Sequence, residues 1–163
     1  MIRLLLVDDH EIVRRGLKEL LNAVGGFEVV SEATTVAEAE AVNLELLDVA
    51  VLDVRLPDGS GVALCRTLLE RRPDLACLML TSFADAEALN ASVLAGARGY
   101  VLKNVKVDDL VAAIRRVADG QMLLSEEQVT RARDRLKRQV VEDQRLESLS
   151  AQEKRIQIGR AHV

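Results

Sequence analysis

Short apolar runs alternate with longer segments of helical spacing along most of the chain. The runs occupy residues 2–7, 27–31, 49–53, 75–80 and 99–102. Between them, apolar residues recur every three or four positions, which is typical of helices with one buried face. Strands that alternate with helices favour a parallel sheet covered by helices on both faces. The pattern therefore predicts a doubly wound, five-stranded parallel α/β domain over residues 1–121.

Local signals refine this prediction and extend it along the chain. Thr35 and Glu38 have the spacing of a capping box, which predicts a helix that continues through Leu44. Residues 126–147 are rich in Arg, Lys, Glu and Gln, with a thin apolar seam at Val129, Leu136 and Val140. We interpret 122–147 as a linker helix that is solvated, packed on a partner chain or folded back on the first domain.

Composition narrows the function classes. The net charge of −4 argues against a chain that coats nucleic acid or anionic membranes through a basic surface. No run approaches the roughly 20 apolar residues of a membrane helix and no targeting segment is visible, so we expect a cytoplasmic protein without a membrane partner. Cys65 and Cys77 form no close metal or redox pair in the sequence, and we expect both to be small buried residues.

Polar side chains stand at the carboxyl end of every predicted strand. In chain order they are Asp8 with Asp9, Ser31, Asp53, Thr81 and Lys103. Each has a simple structural interpretation, as a helix-start acid, a cap or a solvated charge. In an open parallel sheet, however, these ends meet in the crevice where ligands bind. We therefore expect the six side chains to converge on one site.

The predicted site has the chemistry of a phosphoryl acceptor. Three carboxylates in one crevice repel each other by roughly 1 kcal/mol per pair in water and by more in protein, so they favour a bound dication. An oxygen-only site with room for water suits Mg²⁺. Asp53 is then a candidate nucleophile that forms an aspartyl phosphate, with Thr81 and Lys103 placed to hold the phosphoryl oxygens.

Four stretches of the sequence resemble a known family. They are Leu5-Leu-Val-Asp-Asp-His10, Val51-Leu-Asp-Val-Arg-Leu-Pro-Asp-Gly-Ser-Gly61, Met79-Leu-Thr-Ser82 and Gly96-Ala-Arg-Gly-Tyr-Val-Leu-Lys103. They are similar to the receiver domain of two-component response regulators of the NarL/FixJ class, including the dormancy-type regulators of actinobacteria. The resemblance implies a flavodoxin-like sheet of order 2-1-3-4-5, an order that is inherited and not deduced. It also implies no enzyme activity beyond the domain's own phosphorylation and dephosphorylation.

The resemblance also implies a role for each matching residue. Asp53 corresponds to the phosphorylated aspartate, and Thr81 and Lys103 to the pair that senses the phosphoryl group. Asp9, Asp53 and the backbone carbonyl of Arg55 correspond to the Mg²⁺ ligands, with Asp8 acting through a water. Tyr100 corresponds to the aromatic switch. The implied partners are a sensor histidine kinase and, on activation, a second copy of the chain.

Three positions are open to another interpretation. Many receivers have a cis proline after the lysine, but Asn104 stands there and can adopt the turn without that bond. Tyr100 is alternatively an edge-strand aromatic that covers the core. For His10 we favour a local contact at the start of a helix over a direct role.

The end of the chain resembles the beginning of another domain. Residues 148–157 are similar to the start of a LuxR-type helix-turn-helix, without the recognition helix that enters a major groove. We therefore expect DNA binding only in a full-length parent. Residues 158–163 have no helical or core pattern and match the translation of a common sequencing adapter, so we expect a non-native tail.

Two other functions share part of this residue pattern with a transcriptional switch. A phosphatase of the haloacid dehalogenase kind also uses a strand-terminal Asp nucleophile, but it needs a second Asp where this chain has Arg55. A stand-alone receiver or phosphorelay intermediate would act by protein contact alone, and the helix-turn-helix start argues against it.

Overall fold

The computed structural model describes residues 1–82, 85–124 and 126–161, with only the backbone described at 126, 136, 139 and 147–161. Its strands are β1 (Ile2–Val7), β2 (Phe27–Ala33), β3 (Val49–Asp53), β4 (Arg55–Leu56), β5 (Gly59–Ser60), β6 (Ala76–Thr81) and β7 (Gly99–Leu102). Its helices are α1 (Glu11–Val24), α2 (Val36–Glu40), α3 (Gly61–Arg71), α4 (Ala86–Ala95), α5 (Val107–Ala118) and α6 (Glu126–Ala161).

Five of the strands form one parallel sheet in the order β2-β1-β3-β6-β7. This is the predicted order 2-1-3-4-5 when only the sheet strands are counted. β1 and β3 lie side by side in the middle, and their carboxyl ends point to the same edge. Because every neighbouring pair is parallel, each strand returns through a helix, and the helices cover both faces.

Alternate residues of the central strands supply two separate cores. Leu5 and Val7 of β1 pack in one cluster with α3, whereas Leu4 and Leu6 pack in the other with α5. Side chains point to opposite faces along a strand, so a continuous apolar run fills both layers. This explains why the central strands show no alternation of apolar and polar residues.

The second strand is longer than predicted. β2 continues to Ala33, and Ser31 pairs with Leu5 within the strand rather than at its end. The backbone amide of Asp8 donates to the carbonyl of Ala33, which extends the contact between the two strands. The prediction that Ser31 joins the site is therefore wrong.

The second helix is shorter than predicted. The Thr35 hydroxyl accepts from the Glu38 amide as expected, but α2 ends at Glu40 and does not continue through Leu44. The following backbone is held from outside instead, because the Arg71 and Arg72 guanidinium groups donate to carbonyls of residues 40–47. Donors from a distant helix give no local signal in the sequence.

Cys65 and Cys77 are free and fully buried, as predicted. Their thiols nevertheless hydrogen-bond to each other in the core beneath α3. Cys65 lies on α3 and Cys77 lies on β6, twelve positions further along the chain. This spacing matches no short cysteine motif, so the contact was not predicted. They are thus a close pair in space.

The linker helix folds back on the domain. α6 packs against α4, and Ala132 on the packed face is fully buried. This outcome selects the third of the three predicted arrangements. Val140 is 47% exposed, and the Leu136 side chain lies outside the described residues, so the predicted seam is only partly tested.

No domain boundary is visible in the backbone of α6. The helix continues without interruption from residue 126 to 161, so it includes residues 158–161 of the segment predicted to have no helical pattern. The assignments of 148–157 and 158–163 stay predictions. Within the described part of the chain, no helix is both long enough and apolar enough to cross a bilayer.

The second core makes a testable contribution to stability. Ile114 on α5 is fully buried, so Ile114→Ala should lower the free energy of unfolding by about 2–5 kcal/mol through lost burial and a residual cavity. Ile12→Ala removes the same atoms from a side chain that is 88% exposed and should change stability little. Urea denaturation of both variants checks this, and equal losses would contradict the described packing.

Candidate functional site

Three carboxylates meet at the carboxyl edge of the sheet. Asp8 and Asp9 follow β1, and Asp53 is the last residue of the adjacent strand β3. Together with the His10 ring, they offer ligand atoms that all lie within 4.8 Å of one another. Asp8 and Asp53 are buried, whereas Asp9 is partly exposed. The predicted convergence of the acids is therefore observed in the structure.

Lys103 lies opposite the acids and bridges two of them. Its Nζ is 2.8 Å from Oδ2 of Asp8 and 3.0 Å from Oδ2 of Asp53. The Lys103 amide donates to the Thr81 carbonyl at 2.7 Å, so the ends of β6 and β7 are joined at the same edge. The Lys103 ammonium group thus neutralises part of the negative charge of the carboxylates at this edge of the sheet.

The three charges shift one another's pKa values in different directions. Burial opposes the charged form of Asp8, but hydrogen bonds from Lys103 and the His10 amide outweigh it and lower the pKa of Asp8. Burial raises the pKa of Asp53, with the charge of Asp8 adding to the rise despite the contact with Lys103. Burial also opposes the ammonium form of Lys103, yet the hydrogen bonds to both acids raise its pKa. Asp53 is therefore the less stabilised of the two buried carboxylates.

Thr81 and Tyr100 form the far side of the site. Thr81 ends β6 and is buried, and Tyr100 lies on the edge strand β7. The two side chains hydrogen-bond to each other, and the Tyr100 ring also packs against the first core cluster. Both interpretations of Tyr100 are thus compatible with its position, and its role as a switch stays a prediction.

His10 makes the predicted local contact at the start of α1, and its ring also lies close to all three acids. It precedes α1 and its amide donates to Oδ1 of Asp8, which is the expected local contact. Its Nδ1, however, lies 3.0 Å from Asp8, 3.4 Å from Asp9 and 4.0 Å from Asp53. The only signal in the sequence was its position directly after the two acids.

The backbone beyond Asp53 makes a close approach that the sequence analysis missed. A Cβ on Gly61 would lie 1.7 Å from the Asp53 carbonyl oxygen, so the first residue of α3 has room only for hydrogen. The Gly61 amide donates to the Val54 carbonyl, and the Arg55 amide donates to the Asp53 carboxylate. The hairpin of β4 and β5 is thereby folded against the site.

A second acid holds this hairpin from the other side. The Asp58 carboxylate, between β4 and β5, accepts from the amides of Val36 and Ala37 at 2.7 and 3.1 Å. These hydrogen bonds at the start of α2 lower the pKa of Asp58. The loop that carries Arg55 is therefore tied to a helix on one face of the sheet.

The site opens into a cavity of about 220 Å³. Its lining consists of Asp9, His10, Asp53, Arg55, Leu56, Pro57, Thr81 and Ser82. A cluster of carboxylate oxygens beside an open, water-accessible space fits a hard divalent cation that keeps several waters. The donor set is therefore compatible with Mg²⁺.

Comparison with known proteins gives consistent matches. Residues 4–115 match the model of the response regulator receiver domain. The chain is 55% identical over 125 residues to the DNA-binding transcriptional activator DevR/DosR of Mycobacterium tuberculosis, covering 76% of this chain and 58% of that protein. It is 33% identical over 138 residues to the response regulator protein VraR of Staphylococcus aureus, covering 84% of this chain and 66% of that one. The chain thus spans less than two thirds of either relative.

Solved structures have the same architecture. A two-component response regulator of the LuxR family from an Aurantimonas species superposes with a TM-score of 0.71 at 29% identity, covering 82% of this chain and 96% of that one. A CheY-like receiver domain protein from Methanospirillum hungatei gives a TM-score of 0.65 at 32% identity, covering 74% and 96%. Both are similar to the described sheet and its helices.

The close approach at Gly61 predicts a position-specific cost. Gly61→Ala should destabilise the protein by about 1–3 kcal/mol or more, because the added methyl group must displace the Asp53 main chain. Gly16→Ala is the matched control, since nothing lies within 4 Å of its Cβ position in the exposed part of α1. That variant should gain up to about 1 kcal/mol. Thermal or urea unfolding of both proteins checks the opposite signs.

The shifted pKa of Asp53 predicts that its charge destabilises the fold in metal-free buffer. Folding raises the pKa of Asp53 above the ordinary value of 3.8. Ionisation of Asp53 therefore lowers the free energy of unfolding, fully at pH values above the raised pKa and not at all at pH values well below 3.8. Asp53→Asn should therefore be more stable than the parent protein at about pH 7, with the gain shrinking toward about pH 4. Asp134→Asn, at an exposed position on α6, is the control. A less stable Asp53→Asn at neutral pH would disprove the assignment.

Proposed function

Because the chain belongs to the response regulator receiver family, we propose that it accepts a phosphoryl group on Asp53 and acts as the switch of a transcriptional regulator. The observation that carries the proposal is the bridge of Lys103 between Asp8 and Asp53, with Asp9 adjacent. Asp53 is the acid in this group that ends the central strand and lines the open cavity.

The proposed reaction is a transfer between two nucleophiles. A carboxylate oxygen of Asp53 attacks the phosphorus of a phosphohistidine on a sensor kinase; the new P–O bond forms as the P–N bond breaks, and the imidazole leaves with the electron pair. Asp53 is ionised at neutral pH, so no separate general base is needed. Lys103 and the Thr81 hydroxyl are placed to hold the phosphoryl oxygens as charge develops.

Mg²⁺ is the cation that the donor set fits. We assign Asp9, Asp53 and the backbone carbonyl of Arg55 as ligands, with Asp8 acting through a water. When bound, Mg²⁺ screens the negative charge of the incoming group. Asp8 retains its charge more readily than Asp53, because hydrogen bonds lower the pKa of Asp8, so it keeps Lys103 in the site while Asp53 reacts.

The proposed output passes through the far side of the site. An aspartyl phosphate draws Thr81 and Lys103 toward it, which alters the contact between Thr81 and Tyr100. The same edge leads into α4, on which the linker helix α6 packs. We propose a homodimer for the activated state and DNA binding for a full-length parent. The second proposal is supported by the printed function of DevR/DosR, a DNA-binding transcriptional activator of which this chain covers 58%.

The remaining properties follow from this assignment. The chain is proposed to act in the cytoplasm, where it receives the phosphoryl group from a sensor histidine kinase. Its chemistry is limited to its own phosphorylation and dephosphorylation, so it is a signalling protein rather than an enzyme that turns over another substrate.

Intact-mass measurement after incubation with acetyl phosphate tests the proposal. The parent protein should gain one phosphoryl group in the presence of Mg²⁺ and none when the cation is removed by a chelator. Asp53→Asn should gain none, and Asp134→Asn should react as the parent protein does. Retained labelling of Asp53→Asn would place the acceptor at another residue.

A further inference from the structure

Arg14 is a largely buried cation next to the acidic site. The proposed reaction gives this side chain no role. Arg14 lies on the first turns of α1, and its side chain is 13% exposed. Its Nη1 donates to the Asp8 backbone carbonyl at 2.8 Å, and its Nε donates to Oε1 of Glu32 at 3.1 Å. The guanidinium group thus links α1 to the end of β1 and to β2.

The Asp8 main chain is held on both sides by these contacts. Its amide donates to the Ala33 carbonyl at 3.1 Å, and its carbonyl accepts from Arg14. Asp8 is buried, so loss of the donor would leave a carbonyl with fewer partners in a place that water reaches poorly. The direction of this peptide decides where the next side chains point.

Two of the three carboxylates in the pocket branch from this short segment. Asp8 and Asp9 lie between β1 and α1, outside regular secondary structure, whereas Asp53 is held within β3. The hydrogen bonds of the sheet therefore orient Asp53. They do not extend along the segment of Asp8 and Asp9, so the orientation of these two acids needs another contact. The guanidinium group provides a rigid set of donors that fits this task.

We propose that Arg14 is a positioning residue for the acidic pocket: by holding the Asp8 carbonyl, it orients Asp8 and Asp9 toward Asp53 and thereby sets the affinity of the site for a divalent cation. Arg14 acts through Asp8 and does not contact the cation. The inference rests on the proposed function, because the cation site is part of it.

The residues around Arg14 provide matched controls. Lys18, one turn further along α1, also contacts Glu32, at 3.3 Å, but no contact with Asp8 is described for it. Lys18→Met removes a cation from the same network without touching the Asp8 carbonyl. Glu32→Gln weakens the ion pair of Arg14 and leaves its hydrogen bond to Asp8 in place.

The experiment compares the parent protein with Arg14→Met, Lys18→Met and Glu32→Gln. Amide spectra by NMR report the Asp8, Asp9 and His10 resonances in metal-free buffer, and titration with MgCl₂ gives the dissociation constant. Arg14→Met should shift these three amides and weaken Mg²⁺ binding by about 10-fold or more, as loss of an outer hydrogen bond to metal ligands commonly does. Lys18→Met and Glu32→Gln should bind Mg²⁺ within about twofold of the parent protein.

The outcomes separate a positioning role from a structural one. Far-UV circular dichroism and urea denaturation show whether each variant is folded, and Arg14→Lys, which keeps one donor and the charge, should give an intermediate affinity. Parental Mg²⁺ affinity in Arg14→Met, or an equal loss in Lys18→Met, would overturn the inference. If the parent protein bound no Mg²⁺, the proposed function would fail, and the amide shifts of Arg14→Met would still support or overturn the positioning of Asp8 and Asp9.

Discussion

The arrangement at the carboxyl edge of the sheet depends on the ion pairs of Lys103 with two buried carboxylates, Asp8 and Asp53. Asp8 and Asp53 are brought together because β1 and β3 are neighbours, and Lys103 reaches both at hydrogen-bond distance. Burying two like charges costs free energy that one ammonium group only partly offsets. The cost falls mainly on Asp53, whose pKa rises, while Asp8 keeps its charge. Of the two buried carboxylates, Asp53 is therefore the one whose charge the fold stabilises less.

Backbone contacts hold this strained arrangement of charges in place. Gly61 allows α3 to begin directly against the Asp53 carbonyl, and Asp58 ties the adjoining hairpin to α2. Arg14 does the same for the segment after β1. Each of these residues contacts main-chain atoms rather than the Asp53 carboxylate. The segments that carry the three acids are therefore positioned by a surrounding layer of hydrogen bonds and close contacts, in addition to the sheet.

The site also has a structural connection to the end of the chain. Thr81 belongs to the site, and the chain runs from it through residues 82–85 to α4. α6 packs on that helix and buries Ala132 there. A change at the carboxyl edge that moves α4 would therefore alter the surface on which α6 rests.

The sequence by itself determined the α/β class, the five sheet strands and five of the six predicted edge residues, because periodicity and strand ends are local features. The strand order came from the family resemblance and was confirmed. Only the tertiary structure decided the length of β2, which removed Ser31 from the site, and the early end of α2, whose following carbonyls are held by Arg71 and Arg72. It also decided that α6 folds back and that Cys65 meets Cys77. These features depend on contacts between residues far apart in the chain, which no local pattern contains.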